Sequence, residues 1–303
     1  MQVPISQYPL HPRGALELFD VSVKLYKKYF WALSGVSALV WASIAIVQFV
    51  FASRGADPFI ALLFSGILAI FLWPFLFGAV GCCLRAAVEA REVGFRDCMR
   101  FAAKRYERIL QMVSLVALYA ILFAIIYILI LMLIARILSF IADIFPAFDN
   151  WAAYPFFLLS AIVAVTSLFF VGFLSLFPLL ACLEEKQKAV RLRKRCIALA
   201  WGGSKKLMGL VFLNGLGFLA LLVILEGLSS FVISFVFVRD FMQGVSSDTS
   251  VFIAFLAAAT SFSFVSMIWS PLYLMTLGTF YIDVRIRKEA FDLEYQLTHP
   301  DRI

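Results

Sequence analysis

The sequence is poor in charged residues and in histidine. Asp, Glu, Lys and Arg make up 15% of its 303 residues, against roughly 25% in an average soluble domain. The two histidines, His11 and His299, lie near opposite ends of the chain and do not make a zinc site. The sequence also lacks the G-x-x-x-x-G-K-[ST] loop that binds nucleoside triphosphates and the G-x-S-x-G nucleophile motif. We therefore predict that the protein is not an enzyme and uses no metal or other cofactor.

Apolar residues are abundant instead. They make up 63% of the chain, 33 of them are Phe, and the mean hydropathy is +0.97. A helix needs roughly 20 apolar residues to cross the hydrocarbon core of a membrane. Six stretches qualify: 30–53, 59–84, 110–135, 152–183, 207–238 and 251–282. We predict an all-α integral membrane protein with six transmembrane helices, arranged as three hairpins in a single polytopic domain over residues 1–303.

Basic residues lie almost entirely on one side of these spans. The chain has 26 Lys and Arg against 19 Asp and Glu, and 23 of the 26 fall in segments 1–29, 85–109, 184–206 and 281–303. The opposite loops hold Arg54, Arg136 and Arg239, together with five Asp residues. Because Lys and Arg beside spans stay in the cytoplasm, we predict that both termini are cytoplasmic. We interpret the positive charge as a membrane-surface feature, with no nucleic acid as partner.

Cysteine spacing and the N-terminal segment bear on the compartment. The five cysteines include no C-x-x-C pair and lie near the predicted cytoplasmic helix ends: Cys82, Cys83, Cys98, Cys182 and Cys196. We expect free thiols in a reducing compartment. Residues 1–29 contain no apolar stretch followed by a small-residue cleavage site, so we predict no cleaved signal peptide.

Each predicted hairpin follows a basic segment with apolar residues at helical spacing. The apolar positions are Leu16, Phe19, Val23, Tyr26 and Phe30 in the first segment, Phe95, Met99, Ala102, Tyr106 and Ile109 in the second, and Leu192, Cys196 and Leu199 in the third. This spacing predicts cytoplasmic amphipathic helices. They either lie on the anionic inner leaflet or dock a cytosolic partner.

The returning span of each hairpin contains one proline, Pro74, Pro178 or Pro271, where we predict a helix kink. The recurrence of basic segment, hairpin and proline suggests a triplicated unit, with repeats at 13–90, 95–186 and 188–294. The alternative interpretation is that prolines are common in transmembrane helices and that the basic flanks follow from the topology alone.

Few polar residues interrupt the spans. Glu226 is the only acid within one. It is either a proton or cation site, or a surface residue at a helix break that begins at Gly227. Gln48 and Asn214 are the other polar candidates, and we predict that both form hydrogen bonds between helices.

The stretch from Tyr281 to Glu294 carries charges at helical spacing. Opposite charges stand four residues apart in three pairs: Asp283 and Arg287, Arg285 and Glu289, and Lys288 and Asp292. Such pairs stabilise an exposed helix, so we predict that the last span continues as a charged helix in the cytoplasm. Eleven basic residues are predicted to contact the membrane surface or a partner: Lys27, Lys28, Arg100, Lys104, Arg108, Arg191, Arg193, Lys194, Arg195, Arg285 and Arg287.

Two segments carry a resemblance to a known family. They are Tyr-x-Asp-x-Arg-x-Arg-Lys-Glu-x-Phe-Asp-Leu-Glu at 281–294, and Gly-Ala-Leu-Glu-Leu-Phe-Asp at 14–20 leading to Leu-Tyr-Lys-Lys at 25–28. They resemble bacterial multipass proteins related to the membrane domain of glycerophosphodiester phosphodiesterases. In those enzymes a separate soluble barrel performs the catalysis, so the resemblance implies no activity here. Some stand-alone relatives look like products of gene clusters that also encode MoxR-type ATPases and von Willebrand-type proteins, which implies a membrane subunit of an assembly.

These observations favour a non-enzymatic protein of the bacterial inner membrane. We predict a membrane subunit or scaffold whose basic face engages anionic lipid and a cytosolic protein partner. The alternative is a transporter or channel for a small or lipidic solute, built around a polar cavity flanked by the three prolines. A membrane-embedded enzyme comes third, because the sequence displays no cluster of buried polar groups.

Overall fold

The computed structural model describes residues 14–54, 58–89, 91–144, 173–184, 194–198, 203–242 and 247–298. In chain order its helices are α1 (Ala15–Lys28), α2 (Phe30–Ser53), α3 (Pro58–Val88), α4 (Phe95–Lys104), α5 (Tyr106–Ile144), α6 (Phe173–Leu183), α7 (194–198), α8 (Ser204–Met242) and α9 (Ser247–Thr298). All regular structure in the described ranges is helical. The prediction of an all-α protein is therefore confirmed for this part of the chain.

Five of the helices are long and apolar enough to cross a membrane. The qualifying segments are Phe30–Phe51, Leu63–Val88, Tyr106–Ile130, Ser204–Gly227 and Ser261–Arg287. They occupy five of the six positions predicted from the sequence. The predicted span 152–183 is described only from Phe173 onward, where α6 is too short to cross by itself. Most of that prediction lies outside the described residues.

The last two long helices extend further than their apolar runs predict. α8 continues through Gly227 to Met242, so the alternative in which the helix breaks after Glu226 is wrong. α9 has 52 residues and continues to Thr298, which confirms that the charged C-terminal segment prolongs the last helix. At 1.5 Å per residue α9 is about 78 Å long, more than twice the roughly 30 Å hydrocarbon core.

The three proline-containing helices, α3, α6 and α9, meet shortly after their prolines. A methyl group built on Gly278 of α9 would lie 2.1 Å from Leu84 Cδ1 of α3. One built on Gly81 of α3 would lie 2.7 Å from Cys182 Cβ of α6. Helix backbones approach this closely where a small residue leaves room for the neighbour. The core of the described bundle is therefore centred on this junction.

Three further segments lie against the same junction. α1 packs on α9 and α8, and α4 packs on α3 and α2. The first turn of α8 joins them, because Gly203 packs directly against the ring of Phe280 in α9. We call this region, formed by α1, α4, α7, the first turn of α8 and the last turns of α3, α6 and the spanning part of α9, the basic end of the bundle.

The buried side of α1 agrees with most of the predicted apolar face, since Tyr26 is buried and Phe19, Val23 and Phe30 pack against the core. α1 buries Leu18, Ser22 and Tyr26, whereas Leu16, which was predicted to be on the apolar face, is 70% exposed. The hydroxyl groups of Ser22 and Thr279 form a hydrogen bond of 2.7 Å. This contact turns the Ser22 side of α1 toward α9 and leaves Leu16 outside.

The buried side of α4 agrees with the prediction at Met99 and Ala102 and differs from it at Phe95, which is 40% exposed. α4 buries Cys98 and Ala102, and it ends before Arg105, so the predicted apolar face over 95–109 is divided between two helices. Ala102 packs on Gly78 of α3, where an added methyl group would lie 2.4 Å from Ala102 Cβ. α4 is therefore held against protein along this side.

Pro271 lies inside α9 and changes the hydrogen bonding of its neighbours. Proline has no N–H, so the carbonyl of Met267, four residues earlier, loses its usual helical donor. Ser37 Oγ of α2 donates to this carbonyl at 2.6 Å. The Tyr26 hydroxyl of α1 donates to the next carbonyl, that of Ile268, at 3.0 Å. Two neighbouring helices thus donate to carbonyls in the turn of α9 that precedes Pro271, and one of these carbonyls, that of Met267, lacks its helical donor.

Pro74 occupies a similar position inside α3. The Tyr106 hydroxyl, from the first residue of α5, donates to the Phe71 carbonyl at 3.0 Å. Phe71 precedes Pro74 by three residues, as Ile268 precedes its proline. A tyrosine hydroxyl therefore makes the same contact at two of the three prolines, and all three prolines are buried.

Candidate functional site

The predicted surface-contact residues divide into exposed and half-buried groups. Five side chains are exposed: Lys27, Lys28, Arg100, Lys104 and Lys194. Four are half-buried: Arg108, Arg195, Arg285 and Arg287. Arg191 and Arg193 lie outside the described residues. All nine described residues belong to the basic end of the bundle or to the adjoining turns of α5 and α9.

In the C-terminal part of α9, residues two positions apart lie on two different sides of the helix. Tyr281 and Arg285 stand four residues apart along one side, and Asp283 and Arg287 along the other. Tyr281 contacts Glu184 at the end of α6. Asp283 and Arg287 line a cleft against the start of α8. The segment that carries the sequence resemblance therefore connects two neighbouring sites.

The first site is a buried carboxylate where α6 ends. The Glu184 side chain is 5% exposed, and its Oε1 atom lies 3.1 Å from Arg195 Nε of α7. The same oxygen accepts a hydrogen bond of 2.5 Å from the Tyr281 hydroxyl of α9. Glu184 Oε2 has no hydrogen-bond partner among the described residues. One carboxylate therefore joins α6, α7 and α9, and Arg195 is engaged in this junction.

Sequence reasoning missed Glu184 as a structural centre. The available signal was its position, because Glu184 directly follows the apolar run at the end of α6. An acid at such a boundary ordinarily lies in solvent. Its burial depends on Tyr281, which is 97 residues away in the chain.

All five cysteines are free thiols, as predicted, and all are buried. Cys196 of α7 lies beside the Glu184 junction and is 1% exposed. Burial, and next the negative charge of Glu184, raises the pKa of the Cys196 thiol from 9.0 to about 12. Since the thiolate is the reactive form, Cys196 is expected to react slowly near neutral pH for as long as this junction stays packed.

The second site is a cleft of about 430 Å³ between the start of α8 and the end of α9. It is lined by Gly203, Ser204, Lys205, Lys206, Asp283, Val284 and Arg287. Arg287 Nη2 lies 3.0 Å from Asp283 Oδ1 and 2.9 Å from Oδ2, which confirms the predicted pair four residues apart. Lys205 and Lys206 were not singled out by the sequence analysis. The cleft holds three cationic side chains and one carboxylate.

The polar residues predicted inside the spans, Gln48, Asn214 and Glu226, lie on two helices, α2 and α8. Asn214 is buried, and its Nδ2 donates to the Leu210 carbonyl at 2.8 Å within α8 rather than to another helix. Asn214 Oδ1 has no partner among the described residues. Gln48 on α2 and Glu226 on α8 are half-buried.

An apolar groove of about 530 Å³ opens between α3, α5 and α6. Trp73 and Pro178 line it, and Ser175 supplies the single hydroxyl group of its lining. Neither Pro74 nor Pro271 belongs to the lining. Of the three prolines, Pro178 is therefore the one that borders this groove.

The fold and the basic end define an α-helical protein with five helices able to cross a membrane. No protein-family model, curated protein or solved structure matches the chain. Within the described ranges, no group of three or more His, Cys, Asp or Glu side chains is arranged to hold a metal ion. Function is therefore inferred from the charge and the geometry of the basic end.

Proposed function

We propose that the protein is a non-enzymatic subunit or scaffold of the bacterial inner membrane. Its basic end engages anionic lipid and a cytosolic protein partner. The observation that carries this proposal is the exposure of Lys27, Lys28, Arg100 and Lys104 on α1 and α4, two helices whose other sides are buried against the bundle. Cations fixed at the membrane surface attract anionic lipid, by about 1 kcal/mol per charge.

The depth of these cations relative to the bilayer supports the proposal that they bind anionic lipid. Trp31 is three residues beyond Lys28, at the start of α2, and is 86% exposed. Tryptophan concentrates where the bilayer meets water. With Trp31 at that boundary, Lys27 and Lys28 lie among the lipid headgroups of the cytoplasmic leaflet.

The proposal includes the six-span topology with cytoplasmic termini and the triplicated unit. Five spans at predicted positions support the topology. The tyrosine contacts beside Pro74 and Pro271 support repeats at 13–90, 95–186 and 188–294. The resemblance of 14–28 and 281–294 to the membrane domain of glycerophosphodiester phosphodiesterases supports a membrane subunit without its own catalysis.

The double variant Arg100→Gln with Lys104→Gln tests this function. Removing two exposed charges from α4 is expected to lower the affinity for phosphatidylglycerol by about tenfold or more, since each charge contributes about 1 kcal/mol. The protein, tagged after Ile303, is purified in mild detergent from bacterial membranes, and mass spectrometry quantifies the retained lipids and proteins. We expect the wild type to retain phosphatidylglycerol and a stoichiometric soluble protein, and the variant to lose both.

Lys24→Gln is the matched control. Lys24 is also exposed on α1, but its Nζ atom lies 2.7 Å from Asp20 Oδ2, so its charge is already balanced. The control is expected to retain lipid and partner at the wild-type level. Equal phosphatidylglycerol in all three proteins would reject the lipid function, and purification of the wild type without any soluble protein would reject the partner function.

Transport of a lipidic solute is the second candidate function, and the apolar groove between α3, α5 and α6 favours it over transport of a polar solute. Ala117 lines this groove, whereas its neighbour Leu118 is exposed outside it. Ala117→Trp is therefore expected to reduce the flux of a fluorescent phospholipid in proteoliposomes at least about tenfold, while Leu118→Trp leaves it unchanged. Absence of flux with the wild-type protein would reject transport.

A further inference from the structure

The cleft between α8 and α9 has the composition of an anion site. Its cationic side chains come from two helices, Lys205 and Lys206 from the first turn of α8 and Arg287 from α9. Neither lysine forms an ion pair with a described residue. Asp283 is the only carboxylate in the lining; its Oδ1 accepts a hydrogen bond from Arg287, whereas its buried Oδ2 has no hydrogen-bond partner among the described residues. Two positive charges therefore face the cleft without a negative partner in the described structure.

The backbone at the start of α8 adds hydrogen-bond donors to these charges. The first hydrogen bond of this helix runs from the Leu207 N–H to the Gly203 carbonyl, at 2.9 Å. The N–H groups of Ser204, Lys205 and Lys206 precede it and have no acceptor within the helix. The aligned peptide dipoles of the 39-residue helix place partial positive charge at the same point. Side chains and backbone thus favour the same kind of ligand.

The two walls of the cleft are fixed relative to each other by the packing of Gly203 against α9. Gly203 packs against Phe280 and Val284 of α9, since a methyl group on Gly203 would lie 2.7 Å from Phe280 Cζ and 3.4 Å from Val284 Cγ2. This contact fixes the distance between the first turn of α8 and the turn of α9 that carries Arg287. The volume of about 430 Å³ is many times the ~30 Å³ of one water molecule. A phosphate group fits with room for a substituent such as glycerol.

We propose that this cleft binds the phosphate group of a phosphate ester, either a lipid headgroup or a small soluble phosphate. Several oxygens of a tetrahedral phosphate can accept hydrogen bonds at once from the two ammonium groups, the Ser204 hydroxyl and the first N–H groups of α8, which have no acceptor within the helix. This inference rests on the proposed function and deepens it, because it assigns the phosphate group of one ligand to the cleft between α8 and α9. It involves residues separate from the exposed cations of α1 and α4.

Binding to the purified full-length protein in a neutral detergent tests the site. The probes are inorganic phosphate, glycerol 3-phosphate and dihexanoyl phosphatidylglycerol, with dihexanoylglycerol as the lipid that lacks phosphate. Isothermal titration calorimetry is expected to show at least tenfold weaker binding of phosphate-containing probes to Lys205→Gln with Lys206→Gln. Lys205→Arg with Lys206→Arg is expected to keep the binding within about threefold, because it keeps the charges.

Lys24→Gln with Arg54→Gln removes the same net charge away from the cleft and is expected to leave binding unchanged. Binding of the short-chain lipid alone identifies a headgroup as the ligand, whereas equal binding of the soluble probes identifies a free phosphate ester. Failure of every phosphate probe to bind, or equal binding to the glutamine variant, would overturn the inference. Loss of phosphatidylglycerol retention in Arg100→Gln with Lys104→Gln would still stand in that case, so the two proposals fail separately.

Discussion

Substitution of Gly78 by alanine is expected to destabilise the protein by about 2 kcal/mol, although alanine favours helices. The added methyl group would lie 2.4 Å from Ala102 Cβ and 2.6 Å from Ala102 Cα. The second of these atoms is backbone, so α4 must move as a whole to make room. Forcing extra volume into a packed interface typically costs 1–3 kcal/mol. Thermal unfolding in detergent, followed by tryptophan fluorescence, measures the change.

Gly66→Ala is the matched control for this prediction, since Gly66 lies in the same helix, α3, and has no atom within 4 Å of the position that a methyl group would take. There the helix propensity of alanine acts alone, and stability is expected to rise by up to about 1 kcal/mol. A second measurement follows α4 directly, because Cys98 on its buried side should react with maleimide in Gly78→Ala and stay protected in Gly66→Ala. Equal effects of the two substitutions would contradict the close packing of α3 and α4.

Substitution of Glu184 by alanine is expected to lower stability by about 2 to 3 kcal/mol. Removing one partner of a buried ion pair is strongly destabilising, and here it takes the acceptor from the buried Tyr281 hydroxyl and one partner from the half-buried Arg195. The exposed part of Arg195 regains water, which keeps the effect at the low end of the range for buried pairs. Thermal unfolding measures the loss, and faster alkylation of Cys196, read by peptide mass spectrometry, locates it at the end of α6.

Two variants separate this junction from ordinary surface charge. Tyr281→Phe removes only the hydroxyl and is expected to lower stability by about 1 kcal/mol. Asp20→Ala breaks the exposed pair with Lys24, and its effect should stay within about 0.5 kcal/mol. If Glu184→Ala were as mild as Asp20→Ala, the carboxylate would not join the three helices in solution.

The positions of the helices follow from the sequence where apolar runs are continuous. The stretch predicted at 30–53 coincides with α2, because Arg54 and Gly55 end an uninterrupted apolar run there. The ends of α8 and α9 are less predictable, since a single polar residue such as Glu226 does not break a helix whose backbone bonds are all internal. For the same reason the length of an apolar run sets only a minimum for the length of the helix.

The contacts of the basic end depend on pairings that local patterns do not contain. Leu16 and Leu18 are equally apolar, but only Leu18 is buried. The hydrogen bond between the hydroxyls of Ser22 and Thr279, which are 257 residues apart in the chain, turns the Leu18 side of α1 toward α9. The Asp283–Arg287 pair was predictable because both residues lie on one helix. Lys205 and Lys206 line a cleft only because α9 packs closely against Gly203, and no local pattern in the sequence predicts that packing.

The hydroxyl donors beside Pro271 have a consequence for biosynthesis. Ser37 and Tyr26 precede the residues to whose carbonyls they donate, Met267 and Ile268, by 230 and 242 residues. Because a chain is synthesised from its N-terminus, these two hydroxyls are made long before their acceptors in α9. The contacts of α1 and α2 beside Pro271 therefore form only after α9 has been synthesised, so the packing of these three helices is completed late.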